Sequence, residues 1–116
     1  MKFERDEDIA RWLEALAVSA SSFQWDHGNE TKNRKHEVGR EEVEQLFFGP
    51  MVLGGRIIEP FNPESRWVLF GQTSAGRKLT LIFTIRDGLI RPISCRTMRK
   101  QEVKIYEKIA KRQTTC

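Results

Sequence analysis

Hydrophobic residues in the first 50 positions recur at the spacing of amphipathic helices. Residues 6–17 place apolar side chains at the i, i+3, i+4 and i+7 positions from Ile9 to Leu16, behind an acidic first turn. This spacing predicts a helix with a suitable amino-terminal cap. Residues 30–36 and 39–48 predict two further short helices, and Gly-Pro ends the second.

The second half of the chain contains runs in which apolar side chains recur at every second position. Residues 66–73, 78–85 and 89–96 are three such runs, separated by tight-turn sequences. They predict a meander of three antiparallel strands. One side of the middle run is entirely apolar, from Leu79 to Ile85, and is expected to face the core. The other side mixes threonine, isoleucine and arginine, so it is a candidate working surface.

The remaining segments give weaker patterns. Residues 23–25 predict one more short strand, and residues 51–64 hold two apolar pieces broken by Gly-Gly and followed by prolines. Proline disfavours a central strand, so residues 51–64 are expected to form an edge strand or a loop. Residues 98–111 predict a final helix. The set predicts an α+β fold, in which helices pack on one face of a twisted antiparallel sheet of three to four strands.

The length and the cysteine content limit the class of protein. A chain of 116 residues supports a single globular domain. Its apolar runs fall well short of the roughly 20 residues that a membrane span needs, so no membrane partner is expected. The two cysteines, Cys95 and Cys116, do not resemble a disulfide framework. We therefore expect a cytoplasmic protein.

Charge is distributed unevenly along the chain. Residues 1–65 hold 8 Lys/Arg and 13 Asp/Glu, whereas residues 66–116 hold 12 Lys/Arg and 3 Asp/Glu. The net charges are therefore −5 and +9, within a total of +4. A strongly basic half attracts polyanions such as nucleic-acid backbones. A solvated face that only keeps the protein soluble is the alternative interpretation.

Several families of catalytic site have no matching motif. The sequence contains no CxxC pair, no HExxH, no Gly-rich phosphate loop and no GxSxG. The three acids of the basic half are too few for a two-metal nuclease site. His27 and His36, with Asp26 as the nearby acid, make a poor zinc site. We therefore expect no metal and no cofactor.

Arginines at the ends of strands and in turns are the main candidates for chemistry. Guanidinium groups stay charged and offer a fork of donors that matches phosphate oxygens. Strict alternation puts Arg91 and Arg96 on opposite sides of the last strand, and only twist or a bend at Pro92 would bring them together. If each arginine instead pairs with an acid, the group is structural. The arginines considered are Arg77, Arg86, Arg91, Arg96 and Arg99.

Cleavage of a phosphodiester also needs proton transfer. His36 is a candidate because an imidazole titrates near neutral pH, and Tyr106 and Lys35 are further candidates. The alternative for His36 is a helix carboxyl-terminal residue that interacts with the helix dipole. The alternative for Tyr106 is an aromatic ring at the rim of the core, with its hydroxyl at the surface.

Four segments resemble motifs of the BrnT family of type II toxins. WDHGNETKNRKHEVGREEVEQLFF (25–48) is similar to the family's opening WD-x-GN-x-x-K-x-x-KH stretch, and RWVLFGQTSAGRKL (66–79) to its RF-x-x-IG-x-T-x-x-GR-x-L. TIRDGLIRPISCRTM (84–98) resembles T-x-R-x-G-x-IRPISAR-x-M, and EVKIYE (102–107) resembles the closing E-x-x-x-YE. The ordered set, rather than any single segment, makes the resemblance specific.

The resemblance implies a fold, an activity and partners. It implies a RelE-like fold and a metal-independent ribonuclease that inhibits translation and growth. It also implies neutralisation by a BrnA antitoxin, whose DNA-binding part lets the toxin–antitoxin hetero-oligomer repress its own operon. The toxin would thus contact operator DNA only indirectly. Residues 23–116 form the expected toxin domain, and residues 1–22 an amino-terminal helical extension that pads the core, or else contacts the antitoxin or a second copy.

The candidate residues combine the basic cluster with the matched motif positions. The sequence departs from the family's motifs at two notable positions. Arg99 stands where histidine is frequent, and Cys95 stands where alanine is usual. The proposed catalytic set is Arg77, Arg86, Arg91, Arg96, Arg99, His36 and Tyr106. The proposed substrate-binding set is Lys35, Arg66, Lys100 and Lys104.

Three functions are compatible with these residues. The first is an endoribonuclease, in which the RNA 2′-hydroxyl attacks the adjacent phosphorus and arginines stabilise the extra negative charge. The alternative is a non-catalytic basic module that binds nucleic acid. The third is a protein-interaction domain with an acidic partner.

Overall fold

Four α-helices and five β-strands make up the fold of the described residues. A computed structural model describes residues 1–34 and 36–114 of the chain. The elements, in chain order, are β1 (Lys2–Glu4), α1 (Glu7–Leu16), α2 (His27–Arg34), α3 (Arg40–Gln45), β2 (Met51–Glu59), β3 (Trp67–Gln72), β4 (Lys78–Arg86), β5 (Leu89–Thr97) and α4 (Lys100–Thr114). A single 3₁₀ turn, Ala20–Ser22, lies between α1 and α2.

The strands form one antiparallel sheet in the order β1-β2-β3-β4-β5. The expected meander of β3, β4 and β5 is present, but the sheet has five strands rather than three to four. β2 lies between β1 and β3, so the expectation of an edge strand or loop was wrong. Residues 23–25 do not form a strand, because only an isolated bridge joins Phe23 to Ile90.

Glycine explains how β2 accepts a strand on each side. A bulge between Leu53 and Gly55 interrupts its pairing with β3. Gly55 has φ of 133°, and a Cβ there would collide with the carbonyl oxygen of Glu4 in β1. Only glycine adopts this conformation easily and lets another backbone approach so closely. The Gly-Gly pair, which weakened the strand prediction, is therefore what allows β1 to pair.

The sheet carries a core on each face. Leu69 of β3 packs in a cluster with Ile9 and Leu13 of α1 and with Val43 of α3. Val68, its neighbour in β3, belongs to a second cluster with Tyr106 of α4. Adjacent residues of a strand point to opposite faces, so helices cover both faces. The expectation of helices on one face was wrong because β3 is apolar on both of its sides.

A bulge in β5 decides where its arginines point. β4 and β5 pair regularly except at Ile93, which has no partner. On one side of this bulge Arg96 lies opposite Thr80, and on the other side Arg91 lies opposite Thr84. Directly paired residues share a face, and the two threonines, four residues apart, also share one. Both arginines therefore lie on the second face, the one that α4 partly covers.

Candidate functional site

The part of the second face beside the start of α4 contains a cavity of about 390 Å³. Three arginines line it, one before β3, one in β5 and one before α4: Arg66, Arg96 and Arg99. Apolar side chains, among them Ile57 of β2 and Ile82 of β4, line it as well. We refer to this space as the main cavity. It combines a positive wall with an apolar surface.

A smaller cavity of about 230 Å³ adjoins the main cavity, because Arg66 lines both. Its other cationic residues are Arg86 at the end of β4, Arg91 in β5 and Lys32 in α2. We refer to this space as the side cavity. The structure thus brings five arginines of the basic half to one connected surface, together with one lysine that the sequence analysis did not select.

Three of these arginines pair with carboxylates. Their partners lie in three different parts of the chain, in α4, in the loop before β3 and just before α2. The shortest distances are 2.7 Å for Arg96–Glu102, 2.7 Å for Arg86–Glu64 and 2.9 Å for Arg91–Asp26. These contacts fix the arginine side chains in place but also neutralise part of their charge.

Arg66 and Arg99 differ from the other three. Within the described part of the chain, neither guanidinium forms an ion pair. The buried Nε of Arg66 also has no hydrogen-bond partner there, a property that it shares with the Nε of Arg91. A buried donor without a partner is costly in a folded protein. Among the described residues, six cationic side chains line the two cavities and three carboxylates pair with them, so these side chains keep a formal excess of three positive charges. An anion in the main cavity would meet these unpaired groups.

Glu102 holds the wall of the main cavity together. Burial alone would raise the pKa of this carboxyl, but hydrogen bonds from Arg96, the Arg99 N–H and the Thr80 hydroxyl outweigh it and lower the pKa below its usual value. The carboxylate therefore stays ionised at neutral pH. Because Glu102 accepts hydrogen bonds from the guanidinium of Arg96 and from the backbone N–H of Arg99, it fixes that guanidinium and the start of α4.

Arg77 and His36 lie away from both cavities. The Arg77 guanidinium pairs with Glu42 of α3 at 3.0 Å and donates to the backbone carbonyl oxygens of Glu37, at 2.7 Å, and His36, at 3.3 Å. α3 packs on the first face of the sheet, through Val43. The structure therefore separates these two members of the predicted catalytic set from the other arginines.

Tyr106 is part of the core rather than of a cavity. Its side chain is 2% exposed, and its hydroxyl donates to the carbonyl oxygen of Pro50 at 2.7 Å. Burial raises its pKa further from neutrality. The structure thus favours the structural interpretation of this residue, because a hydroxyl engaged in the second core cannot contact a substrate at the arginines.

The predicted substrate-binding lysines are less informative. Lys100 and Lys104 are exposed on α4 and lie outside the linings of the two cavities. Lys35 lies outside the described residues. Among the described members of that predicted set, Arg66 alone lines both cavities.

The model of one protein family matches most of this chain. The model of a family described as "Ribonuclease toxin, BrnT, of type II toxin-antitoxin system" matches residues 25–102, more than half of the chain. The chain belongs to the BrnT toxin family. No curated protein matches the chain. Membership of a type II system implies a protein antitoxin as partner.

The BrnT opening motif WD-x-GN has a structural role. Asn29 is buried and donates from Nδ2 to the carbonyl oxygens of Gln24 and Pro92, both at 3.0 Å. The backbone N–H of Asn29 donates to the Asp26 carboxylate at 3.0 Å, and Asp26 in turn pairs with Arg91. The motif therefore fastens the start of α2 to the bulged strand and forms one wall of the side cavity.

Some residues at the BrnT site escaped the sequence analysis. Lys32 matches the first lysine of the family's opening motif, and this match could have identified it as a candidate. Phe61 lines the main cavity from a loop between two prolines, and an aromatic residue in such a loop was the available signal. Ile57 escaped because β2 was not predicted as a central strand.

No group of three or more His, Cys, Asp or Glu side chains is arranged to hold a metal ion within residues 1–34 and 36–114. Nor does any helix in that part of the chain have the length and apolar character to cross a bilayer.

Substitution of Tyr106 by phenylalanine should cost stability but not activity. The change removes the hydrogen bond to Pro50, which is worth about 0.5–1.5 kcal/mol of unfolding free energy. The measurements are chemical denaturation and RNA cleavage on the same preparation. A large loss of cleavage at unchanged stability would mean that the Tyr106 hydroxyl takes part in catalysis.

Acid should destabilise the BrnT chain. Four carboxyls paired with arginine have a pKa below the usual value: Asp26, Glu42, Glu64 and Glu102. The largest cause of the lowered pKa is a hydrogen bond from Arg91 for Asp26 and one from Arg86 for Glu64. For Glu42 it is the hydrogen bond from the backbone N–H of Gly39.

The sign of this effect follows from linkage. In the unfolded chain these carboxyls titrate near pH 4, and in the folded chain they titrate lower. Their contribution to stability is therefore complete above about pH 5 and is lost as the pH falls through the folded pKa values. Urea denaturation at constant ionic strength, in steps from pH 6 to pH 3, measures it. Stability that stays constant or rises over this range would contradict the assignment.

Proposed function

We propose that this BrnT chain is a metal-independent endoribonuclease toxin whose substrate phosphate lies in the main cavity. The observation that supports this most directly is a pair of guanidiniums, Arg66 and Arg99, that have no carboxylate partner among residues 1–34 and 36–114. They lie beside the fixed guanidinium of Arg96. Guanidinium donors match phosphate oxygens in charge and geometry. The side cavity, with Arg86 and Arg91, would hold an adjacent phosphate of the same strand.

The proposed reaction is attack of the RNA 2′-hydroxyl on the adjacent phosphorus. The 2′-oxygen bonds to phosphorus, and the bond between phosphorus and the 5′-oxygen of the next nucleotide breaks. The products carry a 2′,3′-cyclic phosphate and a 5′-hydroxyl. Charge builds on the non-bridging oxygens in the transition state, where fixed guanidinium donors stabilise it more than in the ground state.

Proton transfer is assigned to water. Arginine does not deprotonate in proteins, and within the described part of the chain His36 and Tyr106 lie outside the two cavity linings. The 2′-proton passes to a water molecule, and the departing 5′-oxygen takes a proton from water. A reaction that uses water in place of a side-chain acid or base forgoes a factor of about 10²–10⁴ in rate.

We also propose the finer biological context. The fold is RelE-like, and the toxin inhibits translation and growth in the cytoplasm. A BrnA-like antitoxin neutralises it in a hetero-oligomer that contacts operator DNA only through the antitoxin. What supports these statements is membership of the BrnT family of type II systems, together with the exposed basic surface that an antitoxin would need to cover.

The test is cleavage of purified RNA by the purified protein, with and without EDTA, and with and without ribosomes. We expect fragments that end in 2′,3′-cyclic phosphate and 5′-hydroxyl groups, in equal yield with EDTA. Loss of cleavage in EDTA that a divalent metal restores would overturn metal independence. Tight binding of RNA with no cleavage in any arm would overturn the enzyme and favour the non-catalytic nucleic-acid-binding module.

A further inference from the structure

Phe61 is an exposed aromatic side chain at the candidate site. It is 83% exposed, more than any other large hydrophobic residue in the described part of the chain, and Phe48 follows at 61%. Phe61 lines the main cavity, and it also lines a neighbouring cavity of about 280 Å³ next to Arg56 and Ser65. The ring therefore lies at the border of two spaces, one of which holds the arginine wall.

The loop that carries Phe61 is held to the sheet. The hydroxyl of Thr84 donates to the carbonyl oxygen of Ser65 at 2.7 Å, and Glu64 pairs with Arg86. Two prolines restrict the backbone of residues 60–66. Because these contacts order the loop in the free protein, a ligand that contacts the ring has less conformational entropy to remove.

The chemistry around Phe61 matches one nucleotide. A nucleotide combines a charged phosphate with a flat base whose faces are apolar. The main cavity offers the same combination, since Arg66 and Arg96 line it together with Ile57 and Ile82. An aromatic ring beside a basic groove is the arrangement that proteins use to stack bases of single strands.

We propose that Phe61 stacks on a base of single-stranded RNA next to the phosphate that is cleaved. This rests on the proposed ribonuclease function. A base in a duplex is already stacked on both faces and is not free to contact a side chain. The stacking ring therefore makes single-stranded RNA the substrate class, with tolerance for the identity of the base because every base has a flat face.

Steady-state cleavage of a short single-stranded RNA tests the proposal. Base stacking on an aromatic side chain is worth roughly 5-fold to 150-fold in affinity, and it acts equally in the ground and transition states. Phe61→Ala should therefore raise KM by about 10-fold to 100-fold with little change in kcat. Phe61→Tyr keeps the aromatic face and should stay within about 3-fold of the parent.

Two controls separate stacking from other effects. Phe48→Ala removes an exposed ring outside the cavity linings and should leave KM unchanged. A 2′-O-methyl RNA that contains 2-aminopurine cannot be cleaved, and stacking on Phe61 should quench its fluorescence. The parent and Phe61→Tyr are expected to quench it, and Phe61→Ala is not. Annealing the complementary strand should abolish cleavage and also any change in fluorescence on addition of the protein, because the base is then already stacked in the duplex.

The outcomes also distinguish this proposal from the proposed function. Unchanged KM and unchanged quenching in Phe61→Ala, with normal cleavage, would overturn the stacking role and leave the ribonuclease standing. Quenching that depends on Phe61 without cleavage by the parent would support stacking and overturn the ribonuclease. If Phe61→Ala weakened only the complex with the antitoxin, the ring would belong to a protein interface and the proposal would fall.

Discussion

Replacement of Arg66 by alanine is expected to lower kcat for RNA cleavage about 10²-fold to 10³-fold, the cost typical of a lost transition-state donor. Arg66 lines both cavities and has no carboxylate partner among the described residues. The substitution therefore leaves no carboxylate without its ion-pair partner. Arg96→Ala, by contrast, would leave Glu102 without its partner. We expect the melting temperature to change by less than about 4 °C.

A matched control separates local from overall charge. Arg11→Ala removes one positive charge from α1, where the side chain is exposed and contacts Glu7 at 3.9 Å. It should leave cleavage unchanged at the same salt concentration. Equal losses in the two variants would mean that net charge, not the main cavity, carries the effect. Full activity in Arg66→Ala would remove the cavity from the mechanism.

Replacement of Phe83 by alanine is expected to cost about 3–5 kcal/mol of unfolding free energy, through lost burial and a residual cavity. Phe83 is fully buried in β4, and its ring centroid lies 5.9 Å from that of Trp67 and 6.0 Å from that of Phe47. A domain of this size has about 5–15 kcal/mol in total. The variant should therefore unfold at much lower denaturant concentration, or fail to fold.

The same substitution at an exposed ring provides the comparison. Phe61→Ala removes as many atoms as Phe83→Ala but should change stability by less than about 0.5 kcal/mol. Denaturation curves of the two variants under the same conditions measure the difference. If the two variants were equally stable, the first core would not be packed as described.

The fold was predictable where one face of a strand alternates cleanly. β3, β4 and β5 follow from their apolar periodicity, and α1 and α4 from their apolar stripes. β1 spans only Lys2–Glu4, too few residues for a pattern to emerge. β2 contains glycines and is followed by prolines, which are signals against a central strand, and only the paired structure shows that Gly55 is needed for the approach of β1.

The clustering of arginines was predictable from the sequence, but their exact positions were not. The excess of positive charge pointed to arginines that line the two cavities, and their role in catalysis stays a prediction. It also selected Arg77, because composition does not show that Glu42 of α3 lies within reach of its guanidinium. Nor did strict alternation show that Arg91 and Arg96 share a face, since a bulge changes the count of residues without leaving a clear sequence signal.

The unpaired residue Ile93 imposes a parity rule on β5. Arg91 and Arg96 are separated by five positions, an odd number that an uninterrupted strand would distribute to opposite faces. One inserted residue restores even parity and returns both guanidiniums to the same side. A homologous strand that is one residue shorter and lacks the bulge would superimpose both groups equally well. A gap of one residue between Arg91 and Arg96 in a sequence alignment is therefore compatible with an intact site. A gap at another position of β5 does not restore the parity of these two residues.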